Sequence, residues 1–107
     1  MELDGFALPV KKLKGTDPVE SLDLSRKNLG IASAIVIASL IGVNPSLKSL
    51  DIAWNDLGPG GGKALAQGVA ASASLMSLNI GLNVLGDVGE AAIRDAVKNK
   101  IGFDLKM

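Results

Sequence analysis

The amino-acid sequence predicts an α/β solenoid: right-handed βα repeats with a parallel sheet on the concave face and helices on the convex face. The first observation behind this prediction is a fixed step, because Leu22, Leu50 and Leu78 are spaced 28 residues apart. The second is a change of period within each unit. Leucines first alternate with polar residues, as in a half-buried strand, and apolar residues then recur about every 3.6 positions, as in a helix.

Four further columns of apolar residues and glycine keep the same step. They are Val19, Leu47 and Leu75; Leu24, Ile52 and Ile80; Leu29, Leu57 and Leu85; and Gly30, Gly58 and Gly86. At 107 residues the chain is expected to form a single domain, 1–107. Its predicted parts are an N-terminal cap (1–18), three repeats (19–46, 47–74 and 75–102) and a C-terminal cap strand (103–107).

Each full unit has the form Leu-x-x-Leu-x-Leu-x-x-Asn-x-Leu-Gly, followed by a helical stretch. This pattern resembles the leucine-rich repeat family, in particular the long-repeat class typified by ribonuclease inhibitor, over residues 19–98. In that family the motif asparagine is buried in the turn, so the resemblance implies a structural turn role for Asn55 and Asn83. The first unit departs from the pattern, because Lys27 occupies this column with Asn28 beside it. Either the turn there is less regular, or Asn28 takes the place of the motif asparagine through a shifted loop.

Two positions bear on how the helices begin. Asp87 followed by Glu90 matches an acidic capping box, which predicts the N-terminus of the third repeat's helix at this point. Ser33 stands in the first unit where the later units have their second glycine, Gly61 and Gly89.

Alternating segments are predicted to close the two ends of the stack. Phe6, Leu8 and Val10 alternate around Pro9. Because proline cannot donate to a central ladder, this segment is predicted to be an edge strand that caps the first repeat.

The C-terminal segment alternates in the same way. The apolar residues are Phe103, Leu105 and Met107, and the charged residues between them are Asp104 and Lys106. We expect a short closing strand here, and charges on its outward face discourage further strand addition.

The composition disfavours several classes of function. There is no Cys and no His, which removes thiolate chemistry and the commonest general base and transition-metal ligand. Eleven Lys and Arg balance eleven Asp and Glu, and aromatic residues are scarce, so a nucleic-acid partner is not expected. We therefore expect no cofactor, no metal and no enzymatic activity, since no nucleophile–base pair or ligand set is marked.

Two segments could suggest other functions and do not support them. The apolar run 31–43 is too short to span a bilayer, and the N-terminus has no apolar signal-type region, so we expect no membrane association and a cytoplasmic location. The run Gly58-Pro-Gly-Gly-Gly-Lys63 fails the phosphate-loop pattern, because Leu57 and Ala64 occupy its first Gly and its Ser/Thr positions. We interpret it as a tight turn into the second helix.

The fixed step places particular residues side by side on the exposed face of the predicted sheet. The predicted partner-binding rows are Asp23, Asp51 and Asn79; Ser25, Ala53 and Gly81; and Arg26, Trp54 and Leu82. Tryptophan and arginine are enriched among interface hot spots. Trp54 either contacts a partner or folds back onto Leu82 as a local cover. The paired carboxylates of the first row form either a weak cation or basic-group site or a solvated polar face.

These observations predict a non-enzymatic protein–protein interaction module that binds a protein partner through the concave sheet face and the adjacent loops. The alternative is a self-assembling structural unit, a homo-oligomer formed through the end strands or through the apolar first helix. In that helix Ile35, Val36 and Leu40 extend the hydrophobic arc beyond the face that meets the sheet. Either the N-terminal segment or another chain is expected to cover them.

Overall fold

Strands and helices alternate along the chain. The computed structural model describes residues 2–107. The elements are β1 (Glu2–Leu3), β2 (Phe6–Ala7), α1 (Val10–Lys14), β3 (Ser21–Asp23), α2 (Ile31–Ile41), β4 (Ser49–Asp51), α3 (Gly58–Ala71), β5 (Ser77–Asn79), α4 (Gly86–Val97) and β6 (Asp104–Lys106). Strands β3 to β6 form one parallel sheet in chain order, and α2, α3 and α4 pack side by side. The α/β solenoid class is thereby confirmed.

The register of the sheet makes lateral neighbours of residues one repeat apart. Leu22 pairs with Leu50, and Leu50 pairs with Leu78. Leu50 and Leu78 are buried in the core between the sheet and the helices. The next residue of each strand points to the opposite face, because side chains alternate along a strand. We call that opposite face, away from the helices, the exposed sheet face.

Glycine lets neighbouring helices approach closely. A Cβ atom added to Gly68 in α3 would lie 2.3 Å from the carbonyl oxygen of Ala38 in α2. A Cβ atom on Gly62 would lie 3.2 Å from the Cα atom of Gly89 in α4. The prediction of a tight turn at Gly58–Lys63 is wrong, because α3 begins at Gly58 and the following glycines are helical. They are needed for packing between helices rather than for a turn.

The N-terminal cap differs from the predicted edge strand. Strand β2 ends at Ala7 and pairs antiparallel with β1, in a sheet separate from that of the repeats. Val10 begins α1, so the expected strand through Leu8 and Val10 is wrong. The reason is Pro9, whose fixed φ and missing N–H suit the start of a helix better than the continuation of a strand. Gly15, with φ of 96°, then ends α1 in the left-handed conformation.

The hairpin between β1 and β2 carries a cap for a helix of the first repeat. Helix α2 has no side-chain cap of its own at Gly30. Instead, the backbone N–H of Gly30 donates to the carboxylate of Asp4 over 3.0 Å, and the buried Ser33 donates to it from both its amide and its hydroxyl. The Ser33 hydroxyl, followed by the Gly30 amide, lowers the pKa of Asp4. The first repeat thus has Ser33 where the other repeats have glycine, and the serine side chain bonds the capping residue Asp4.

Helix α4 begins without a side-chain cap, so the capping box predicted at Asp87 and Glu90 is wrong. The helix starts at Gly86, one residue before Asp87, which places Asp87 inside the first turn instead of at the N-cap. Its carboxylate still lies near the positive end of the helix dipole.

Two buried asparagines join the repeats. The Asn55 amide nitrogen donates to the carbonyls of Leu24 in the first repeat and of Ile52 in its own repeat. Its oxygen accepts the amides of Lys27 and Leu29 over 2.9 and 3.0 Å. Each such asparagine bonds the repeat before its own, and β3 of the first repeat is the first strand of this sheet, so an asparagine at position 27 would have no preceding strand to bond.

Asn83 forms the equivalent connection between the second and third repeats. It donates to the carbonyls of Ile52 and Ile80 and accepts the amide of Leu57. Each asparagine thus bonds the backbone of two repeats and fixes their stagger.

Removal of the Asp4 carboxylate tests the cap on α2. We expect Asp4→Ala to lower the free energy of unfolding by about 1 kcal/mol, since it removes a helix cap. The control is Asp17→Ala, which removes an exposed carboxylate elsewhere in the N-terminal segment 1–18. It should change stability by less than ~0.5 kcal/mol. Urea denaturation measures both.

The same comparison has a predicted pH dependence. The folded-state pKa of Asp4 lies below its ordinary value of 3.8. Its stabilising contribution is therefore present above that value and is lost as the pH falls through the lower, folded-state pKa. The difference between the wild type and Asp4→Ala should shrink in acid. A difference that grew with falling pH would contradict the cap.

Truncation of Asn55 tests the connection between repeats. We expect Asn55→Ala to destabilise the protein by about 3 kcal/mol, because several buried backbone groups lose their partner. Asn79→Ala removes a half-buried side chain bonded to one amide and should cost about 1 kcal/mol or less. Equal losses in thermal or chemical unfolding would show that the buried amide has no special role.

Candidate functional site

The first row of the exposed sheet face shapes the ends of three strands. Asp23, Asp51 and Asn79 pair with one another in register. Each side-chain oxygen accepts the amide of the residue two positions later, over 2.9, 3.0 and 3.2 Å respectively. This is the Asx turn, in which a side chain imitates the backbone of a turn. The row therefore bends the chain out of each strand at the same level.

The two carboxylates of this row are engaged locally. Asp23 also accepts the hydroxyl of Ser25 over 2.6 Å, and this bond is the main cause of its lowered pKa. Among residues 2–107, no cluster of three or more His, Cys, Asp or Glu could hold a metal ion. Both carboxylates thus accept a hydrogen bond within their own turn, and the two interpretations of the row stay predictions.

Three large residues follow in an unusual backbone conformation. Arg26, Trp54 and Leu82 have φ of 58°, 58° and 57°, all in the left-handed region. For residues with a Cβ atom this conformation costs about 1–2 kcal/mol each. Arg26 and Trp54 are held there by the sheet, since their amides donate to the carbonyls of Ala53 and Gly81 on the next repeat. We call these three residues the rim.

The rim side chains extend into solvent rather than into the core. Trp54 is 51 % exposed and Leu82 is 61 % exposed. The guanidinium carbon of Arg26 lies 4.6 Å from the centre of the Trp54 ring, a cation–π contact. This contact orients the ring and leaves half of its surface free for a partner.

The rim and the exposed sheet face line an open cavity of about 510 Å³. Eight of the nine residues predicted to bind a partner line it, together with Met107. They are Ser25, Arg26, Asp51, Ala53, Trp54, Asn79, Gly81 and Leu82. The ninth, Asp23, stands outside it. Met107 was predicted only as part of the closing strand, and its position beside Gly81 at the cavity was not expected from the repeat spacing.

The apolar first helix is partly covered by its own chain. Val36 and Leu40 are half-buried against the core, whereas Ile35 remains 54 % exposed. Helix α1 of the N-terminal cap packs beside α2. The predicted self-association through this helix stays a prediction.

Comparisons with known proteins agree with this architecture. The family model described as leucine-rich repeat matches residues 43–66 and 71–93. The two matches begin shortly before the predicted second and third repeats and extend through their strands into their helices. No curated protein matches the chain.

A solved structure shares the fold. It is leiomodin-1 actin-binding site 2 (ABS2), which superposes with a TM-score of 0.80 at 19% sequence identity. The match covers 91% of this chain but only 58% of the leiomodin-1 chain. At that identity the likeness concerns the fold.

As for membranes, the described part of the chain contains no helix both long and apolar enough to cross one.

The strained backbone of the rim is testable at Leu82. Glycine adopts positive φ freely, so we expect Leu82→Gly to be more stable than Leu82→Ala by about 1 kcal/mol. At Met76, which is 44 % exposed and outside the left-handed region, the order should reverse. Chemical denaturation of the four variants measures both differences. The same order at the two positions would contradict the backbone assignment.

Proposed function

We propose that this chain is a non-enzymatic protein-interaction module that binds a protein partner through its exposed, concave sheet face and the rim. The observation that carries this proposal is the rim itself. Three large exposed side chains are held in a backbone conformation that costs free energy, and all three line one cavity. Strain of this kind persists where the surrounding structure enforces it, and it is concentrated at functional sites.

The chemistry of the cavity favours a peptide segment over a small molecule or a charged polymer. The lining combines the cation of Arg26, the carboxylate of Asp51 and the amide of Asn79 with the apolar faces of Trp54 and Leu82. The cavity is open to solvent, whereas sites for small molecules enclose most of the ligand. We infer that an apolar partner side chain packs on Trp54 while its neighbouring polar groups bond the first row.

The structural neighbour supports this class of function. The leiomodin-1 structure is named for actin binding, so a protein of this fold is associated with a protein ligand. The likeness does not extend to the identity of the partner, because 19% sequence identity supports the fold alone. We therefore propose a protein partner without assigning it as actin.

Replacement of Trp54 tests the proposal once a partner has been isolated by affinity purification with the wild-type chain. We expect Trp54→Ala to weaken the complex by about 2 kcal/mol, roughly 30-fold in Kd, as hot-spot tryptophans do. Asp51→Ala should weaken it by a smaller factor. Isothermal titration calorimetry measures each Kd.

The matched control for this experiment is Ile35→Ala. Ile35 is 54 % exposed, close to the 51 % of Trp54, but it belongs to helix α2 and does not line the cavity. Its replacement should leave the Kd within about twofold. An unchanged Kd for a folded Trp54→Ala protein, or a large loss with Ile35→Ala, would place the binding surface elsewhere.

A further inference from the structure

Strand β6 ends the sheet with backbone groups that face away from it. The amide of Asp104 donates to Met76, and the carbonyl of Lys106 accepts the amide of Ile80. These two residues therefore turn their backbone groups toward β5. Because such groups alternate in direction along a strand, the N–H and C=O of Leu105 point to the outer edge of the sheet. An edge of this kind is a template for pairing with another chain.

The sequence of this edge is self-complementary. We propose that two copies of the chain associate through β6, pairing antiparallel about Leu105. In this register Leu105 faces the same residue of the second copy and exchanges two backbone hydrogen bonds with it. Asp104 then lies opposite Lys106 of the second copy, and Lys106 lies opposite its Asp104. Both side chains are exposed, and within residues 2–107 neither forms an ion pair.

The alternation of charge also selects the orientation. Parallel addition of a second β6 in register would place Asp104 opposite Asp104 and Lys106 opposite Lys106, and like charges directly opposite each other destabilise a pair. Antiparallel addition places opposite charges in the closer, non-hydrogen-bonded positions, where side chains interact most strongly. The charges that discourage general strand addition thus permit one specific pairing.

The apolar residues of the strand support the same register. Antiparallel pairing about Leu105 sets Phe103 opposite Met107 of the second copy. Phe103 and Leu105 are half-buried and pack against the core, whereas Met107 follows the strand and lines the cavity. Met107 is 39 % exposed in the single chain. The pairing is self-complementary about a two-fold axis, as a closed, isologous interface requires.

The helices leave room for this arrangement. Among the elements within residues 2–107, β6 is the last, so in a pair of these chains the two β6 strands would separate the α4 helices. With strands about 4.8 Å apart, the two β5 strands would be about 14 Å apart. Packed helices need about 8–10 Å between their axes. An eight-stranded sheet therefore forms without a collision of helices, and the interface is small enough for a weak, concentration-dependent dimer.

Charge reversal tests this pairing in sedimentation velocity over a range of concentrations. The wild type should convert from monomer to dimer as its concentration rises. Asp104→Lys and Lys106→Asp each create two like-charge pairs and should weaken the dimer about tenfold or more. The double variant carrying both changes restores opposite charges and should regain a dimerisation constant within about threefold of the wild type.

A mixture of the two single variants gives a second, independent test. Asp104→Lys presents two lysines and Lys106→Asp presents two aspartates, so they should associate with each other better than either does with itself. Circular dichroism establishes that each variant is folded. A wild type that stays monomeric at every concentration overturns the proposal, as does a double variant that remains weakened or a mixture that shows no preference.

Discussion

Asn55 and Asn83 are the side chains on which the stacking of this protein depends. Each buried amide donates to carbonyls of two successive repeats and accepts an amide from the earlier one. Because these groups are buried, any slip between repeats would leave them unsatisfied at a cost of several kcal/mol. The asparagines thereby enforce one stagger, in which residues spaced by 28 positions become lateral neighbours. The rows of the exposed sheet face exist only because of that stagger.

The site follows from the same constraint. With the strands in register, Asx turns at Asp23, Asp51 and Asn79 end each strand at one level. The next residues pass through the left-handed region and project outward, which assembles the rim around one cavity. Large side chains at positions suited to glycine lower stability. The proposed function gives a reason for keeping them, because a glycine there would relieve the backbone and remove the contact surface.

The fold class and the lateral rows could be predicted from the sequence because a repeat converts spacing along the chain into distance across the sheet. The same logic does not reach features that lie outside the repeat. Asp4 caps a helix that begins 27 positions later, and no local sequence pattern around Asp4 indicates this role. Leu8 and Val10 alternate as in a strand, yet Pro9 starts a helix at that point.

The conformation of the rim was equally hidden. Arginine, tryptophan and leucine rarely adopt positive φ, so nothing in that column indicates a left-handed turn. The opposite error arose at the glycines. Gly61 and Gly62 belong to a run that predicted a turn, but they lie in a helix and permit close packing. The role of the predicted site residues in binding stays a proposal.

The most direct test of the register is to measure scalar couplings across the backbone hydrogen bonds by NMR spectroscopy. The register described above predicts couplings from the amide nitrogens of Leu24 and Ile52 to the carbonyl carbons of Asp51 and Asn79, respectively, and from the amide nitrogen of Trp54 to the carbonyl carbon of Gly81. Observation of these couplings would establish the register that builds the exposed face. Couplings from the same amides to carbonyls shifted by one or more residues would contradict it, because the rows, the rim and the cavity would then not form.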